Sequence, residues 1–250
     1  LSLDVWTVVA SSAAVLAASV LRGFSGFGIA LAGVPLLSLV VSPRLAVPTV
    51  MVLMIASGLQ TLPRDHGHVE WGTLARLLPG AVLGIVPGLW LLAWLSADAA
   101  RLVIGTVVVG TVILLHRGWR MTGNPGTMGY GIVGALSGVL NGLAAIPGPP
   151  VIALYFALER PAAAIRATLA AYFLVVSTVA IVMALFQELV RPSDLFWVLA
   201  LAPALFLGTA LGARLFRTPL QRHYRPIGLA VLLAAGLMAA SRGGYALWLG

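Results

Sequence analysis

Apolar runs of about 20 residues recur along almost the whole chain, broken by short stretches rich in Arg, Pro, Gly and Asp. Runs of that length match a helix crossing a hydrocarbon core of about 30 Å. The pattern predicts helical segments near 4–21, 28–41, 45–62, 72–95, 99–117, 127–144, 148–158, 164–187, 194–215 and 224–248. Eight of these are long enough to span. The other two, 28–41 and 148–158, are short. At 1.5 Å per residue the second covers only about 17 Å, so it cannot cross alone and its N-terminal end must lie at depth. A β-barrel is excluded, because barrel strands alternate polar and apolar positions over about ten residues.

The pattern also repeats. Gly23, Gly33 and Pro35 pair with Gly138, Gly148 and Pro150 at a fixed offset of 115, and Ser42-Pro43 pairs with Arg160-Pro161. Further on, Pro79, Gly84 and Gly88 match Pro203, Gly208 and Gly212 in order. A duplication is expected, with repeat one near 1–120 and repeat two near 125–250. If all ten segments count as crossings, the loops on one side hold eleven arginines and those on the other hold four. The positive-inside rule then favours five segments per repeat, and an odd number inverts the second repeat against the first. The expected fold is an all-α polytopic membrane protein. It consists of two inverted repeats of about five helical segments each, with two short broken or re-entrant helices.

Composition narrows the class. The chain is 60% hydrophobic and 9% charged, with mean hydropathy +1.04. A soluble domain carries about 25% charged residues. One transmembrane domain, 1–250, accounts for the whole length, and the lipid bilayer is its first partner. No cleavable signal pattern stands out; the first apolar run reads as a mature helix. The net charge of +8 comes from single arginines scattered through loops, not from a basic face, so no nucleic-acid partner is expected. There is no Cys, which removes thiolate metal sites and disulfides.

The glycine-rich interruptions carry the candidate chemistry. A helix that starts at depth presents backbone N–H groups and the positive end of its dipole, which suits an anion. The short helices are expected to start near Gly28 and Gly148, facing one midplane site from opposite leaflets. Ser25 and Asn141 lie just before those starts and can donate hydrogen bonds. Gly23, Gly26, Gly28, Gly142 and Gly148 permit close backbone approach. Pro149 and Pro150 suit a first helical turn. Arg22 adds positive potential. All seven acids fall near segment ends, which weighs against a cation pump and for a small anionic substrate. The run Asp65-His66-Gly67-His68-Val69-Glu70 has metal-ligand residue types, but its spacing matches no strong motif and no metal is assigned. No catalytic motif or cofactor fingerprint is present, so neither an enzyme nor a cofactor is expected. A permease for metal ions or neutral solutes, and a membrane enzyme or assembly subunit, are the alternatives.

At V-L-R-G-F-S-G-F-G-I-A-L-A-G-V-P-L-L and at G-P-P-V-I-A-L-Y the chain resembles the TauE/SafE family of sulfite exporters. The resemblance implies a bacterial inner-membrane permease, usually of eight helices, for sulfite, thiosulfate or organosulfonates, with export as its direction. It places Gly23, Ser25, Gly26, Gly28 and Pro35 at the site through the first signature. Through the second it places Asn141, Gly142, Gly148, Pro149 and Pro150 there. Leu143-Ala144-Ala145-Ile146 departs from the family's more glycine-dense second copy.

Overall fold

The computed structural model describes residues 4–25, 28–117, 125–158, 160–215 and 224–249. Among them are ten α-helices: α1 (Val5–Ser25), α2 (Gly28–Ser38), α3 (Pro43–Asp65), α4 (Trp71–Trp94), α5 (Ala97–His116), α6 (Gly126–Ala144), α7 (Gly148–Ala157), α8 (Ala162–Phe186), α9 (Pro192–Leu215) and α10 (Tyr224–Leu249). One 3-10 turn, His66–His68, stands between α3 and α4. Helices are what the apolar runs demand, since a backbone in lipid must satisfy its hydrogen bonds within one segment. Seven of the described helices are long and apolar enough to cross a bilayer: α1, α3, α4, α5, α8, α9 and α10. The 19-residue α6 is glycine-rich and carries Asn141, and it is not one of the seven. The protein is an all-helical multi-pass membrane protein. The order long, short, long, long, long occurs twice, in α1–α5 and again in α6–α10.

Contacts divide the chain into two compact units, with α3 shared between them. The first comprises Leu1–Val50, Leu95–Arg117 and Arg191–Gly250. Here α1 packs along α9 and α2, and α10 packs along α5 and α2. The second comprises Met51–Trp94 and Gly118–Val190. In it α4 packs along α6 and α8, and α7 rests on α6 and α8.

Lipid tails are as apolar as Leu, so burial of apolar surface does not drive these pairings; close van der Waals approach does. The α4–α6 contact shows how. A Cβ at Gly80 would overlap the Gly131 carbonyl oxygen, one at Gly84 the Ala135 carbonyl, and one at Gly138 the Ala81 carbonyl. The two backbones touch along a seam with no side chains between them. The outer face of α4 is apolar and exposed at Leu83, Val86 and Trp90. Exposed Trp71 and Trp94 stand at its two ends, about 36 Å apart at 1.5 Å per residue, where aromatic rings reach both headgroup levels. Gly105 on α5 is a packing glycine too, lying against Gly236 and Ala240 of α10. Gly110 is not: it faces open space on the exposed side of α5.

Gly84→Val should therefore force the seam apart and cost about 3 kcal/mol or more. Gly110→Ala should be neutral or stabilise by up to about 1 kcal/mol, because Ala is the better helix former. Thermal melting of the two purified variants in detergent checks the contrast; equal melting points would refute the seam.

Candidate functional site

The second unit holds a buried polar cluster where α6 ends and α7 begins. The helix α6 stops at Ala145, which takes a left-handed conformation with φ 51° and ψ 38°. Its N–H donates to the Asn141 carbonyl (2.8 Å), and the Ile146 N–H reaches the Leu140 carbonyl (3.2 Å). Left-handed backbone normally selects glycine, and an L-residue there is strained by roughly 1–2 kcal/mol. This strained residue lies within the Leu143–Ile146 stretch that departs from the glycine-dense signature.

After the turn, Pro147 caps α7, and Gly148, Pro149 and Pro150 form its first turn. The N–H groups at the start of a helix lack intrahelical partners. Three of the four residues at those positions are prolines and have no N–H to offer, so Gly148 supplies the one amide donor of this terminus. The helix is ten residues long, about 15 Å, and Val151, Leu154 and Tyr155 along it are wholly buried.

Around this start, Ser137 Oγ on α6 donates to the Pro147 carbonyl (2.5 Å) and accepts from the Tyr172 hydroxyl of α8 (2.9 Å). One turn along α6, Asn141 Nδ2 donates to the Val176 carbonyl of α8 (3.1 Å). Ser137, Asn141, Tyr172 and Ser177 are all 0% exposed. Asn141 Oδ1 and Ser177 Oγ have no hydrogen-bond partner among the described residues. Phe173 of α8 stands beside Gly148, its Cζ 3.4 Å from where a Cβ would lie. One N–H of Asn141 is used on Val176, which leaves a second N–H and an oxygen without a partner on the same side chain.

The first unit holds the other candidate residues. Arg22 lies in the last turn of α1, partly buried, and Ser25 ends that helix. Gly28 begins α2. Gly26 lies outside the described residues, as do the side chain of Ser25 and the surroundings of Gly28. Gly23 packs on α9: a Cβ there would overlap the Thr209 carbonyl and lie 2.9 Å from Ala213 N. Gly142 meets the same arrangement on α4, with Ile85 O at 2.6 Å and Leu89 N at 2.7 Å. The needs of helix packing explain both glycines. Gly23 and Gly142 have similar surroundings 119 positions apart, and the short helices start 120 positions apart, at Gly28 and Gly148, where the pairing read from glycines and prolines has an offset of 115.

The far end of α2 is held by charge. Arg101 Nε of α5 donates to the Ser38 carbonyl (2.8 Å), and Arg242 of α10 donates to the Leu39 carbonyl. Arg101 is also paired with Asp98 (2.7 Å). Cations at a helix C-terminus complement the negative end of its dipole. With 11 residues, α2 rises about 16 Å from that charged end, roughly half the hydrocarbon thickness.

Sequence reasoning missed Ser137, Tyr172 and Ser177. The available signal was spacing: Ser137 and Asn141 lie one turn apart on α6, as Tyr172 and Val176 do on α8. It also left the run ending in Glu70 without a role. Glu70 in fact accepts from Thr73 Oγ1 (3.1 Å) and pairs with Arg160 (3.3 Å), and its N–H donates to Thr168 Oγ1 (2.9 Å). His66 Nδ1 lies 3.1 Å from the Pro63 carbonyl, and no group of metal-ligating side chains gathers among the described residues.

An all-helical multi-pass chain with two short helices, one beginning in a buried polar cluster, has the build of a membrane transporter. Residues 11–239 match the family model described as sulfite exporter TauE/SafE. The chain belongs to that family, and it is a multi-pass protein of the inner membrane. It is 32% identical over 174 residues to the probable inner membrane transporter protein TsaS of Comamonas testosteroni, covering 68% of this chain and 72% of that one. It is 26% identical over 219 residues to the probable sulfite/organosulfonate exporter TauE of Cupriavidus necator, covering 85% of each. No solved structure matches the chain.

Two substitutions should move stability in opposite directions. Ala145→Gly relieves the left-handed residue and should stabilise the protein by about 1 kcal/mol. Tyr172→Phe removes the donor to Ser137 and should cost about 1 kcal/mol. Chemical denaturation in mixed micelles reads both, and a destabilising Ala145→Gly would contradict the strained corner.

Proposed function

We propose that this chain exports a small sulfur-containing oxoanion, such as sulfite, thiosulfate or an organosulfonate, by alternating access. The buried start of α7 carries the reading. It combines the positive end of a helix dipole, one free amide at Gly148, and a ring of hydroxyl and amide groups on α6 and α8. Family membership and the names of the two relatives support the substrate class. The absence of any acidic residue from α6, α7 and α8 supports an anion over a metal ion.

The substrate sheds water and takes hydrogen bonds from the Gly148 N–H and the Ser177 hydroxyl. Ser137 keeps the α7 start in place by holding the Pro147 carbonyl, and Pro149 and Pro150 fix the first turn at φ near −65°. The helix α2, which begins at Gly28, is the corresponding element of the first repeat, and Arg22 supplies long-range attraction there. The repeats are inverted in this reading, so the two short helices enter from opposite leaflets.

Purified protein in proteoliposomes should carry labelled sulfite, with competition by sulfonates and none by divalent cations. Ser137→Ala should lower that flux by about tenfold while the protein still folds. Wild-type protein that carries neither sulfite nor any sulfonate would remove the proposal.

A further inference from the structure

We propose that the site at the start of α7 takes an oxoanion that brings its own hydrogen-bond donor. Its ligand is a monoanion bearing an O–H or N–H group, such as hydrogen sulfite or a hydroxyl- or amino-substituted sulfonate. This rests on the transport reading above and adds the protonation state and functional group that the site requires.

The Tyr172 hydroxyl proton points to Ser137, and the Ser137 proton points to the Pro147 carbonyl. Neither is free for a ligand. The Asn141 NH2 faces the Val176 carbonyl, which fixes the amide orientation, because the flipped amide would set two oxygens against each other. Four groups then remain: the Gly148 N–H, the second N–H of Asn141 and the Ser177 hydroxyl as donors, and Asn141 Oδ1 as the one acceptor without a partner. Asn141 is 0% exposed, and a buried acceptor left unpaired costs about 1–3 kcal/mol.

These groups belong to one neighbourhood. Ser137, one turn before Asn141, is bonded to the residue that precedes Gly148. Phe173, one turn before Ser177, lies beside Gly148. An oxoanion without a hydrogen would direct lone pairs at Asn141 Oδ1. One that carries O–H or N–H satisfies that oxygen while its remaining oxygens accept from Gly148 and Ser177. A bare cation on Asn141 would face the positive end of α7 with no acidic residue on α6, α7 or α8 to balance it.

Competition against labelled sulfite in proteoliposomes tests this with a matched pair, ethanesulfonate and 2-hydroxyethanesulfonate. Wild-type protein should prefer the hydroxyl compound by at least about tenfold. In Asn141→Leu the two should compete within about twofold of each other. A pH series on wild-type protein needs no variant. At constant total sulfite, carrier-dependent flux should follow the hydrogen sulfite concentration and rise as pH falls through the second ionisation of sulfurous acid. Sulfite flux with equal competition by the two sulfonates, or flux that follows the dianion, overturns the inference and leaves sulfite transport standing. A preference that survives Asn141→Leu overturns it too. Loss of all flux in wild-type protein overturns the transport reading and this inference with it.

Discussion

A hydrocarbon interior offers a polypeptide no hydrogen bonds, and each backbone group left unpaired there costs several kcal/mol. A helix that crosses the bilayer escapes this by ending in the headgroups. A helix that stops halfway does not, so its ends need partners of their own. Two helices here are too short to cross, and much of the molecule's polar chemistry is gathered at their ends. Arginines from α5 and α10 take the carbonyls that close α2. Ser137 holds the carbonyl that opens α7, and prolines remove three N–H groups that would otherwise need acceptors. What stays open around the start of α7 after these measures is the Gly148 amide, the Ser177 hydroxyl, and one N–H and the oxygen of the Asn141 carboxamide. A group of unmet polar atoms at a helix start is where a polar solute would be welcome.

The helix pairings follow from the same solvent. With no hydrophobic driving force between helices in lipid, α4 and α6 associate by bringing their backbones into contact, and α1 and α9 do so at Gly23 and Gly208. The first helix of one half packs on the fourth of the other in both cases, and α5 packs on α10. A chain whose second half repeats the first would produce this exchange.

The ten segments were legible because the bilayer sets their length and excludes charge from their middles; even the two short ones were marked by Gly and Pro. Gly148, Pro149 and Pro150 could be placed at the start of α7 from the residues alone. The partners of that start could not. Ser137 and Tyr172 are ordinary residues in apolar helices, and their meeting depends on how α6 rotates against α8. The direction of the Asn141 amide was invisible for a related reason. Asn donates and accepts equally well, and the Val176 carbonyl decides which way the amide faces. Alignment by glycine and proline ignores which backbone each glycine faces, so its offset differs from the spacing of the two short helices.

The α4–α6 seam has a mechanical meaning. Side chains between helices act as bearings: they change rotamer and let one element slide past another. Where carbonyl oxygens rest on glycine Cα atoms there is nothing to roll on. The pair α4–α6 is therefore a single stiff beam, and any motion in this unit must be taken up at its joints. The joint at Ala145 is wound against its natural hand, and the turn beyond it has three prolines in place of ladder amides. The α7 helix hangs from that beam by a strained corner, and the Ala145 N–H and the Pro147 carbonyl both tie that corner back to α6.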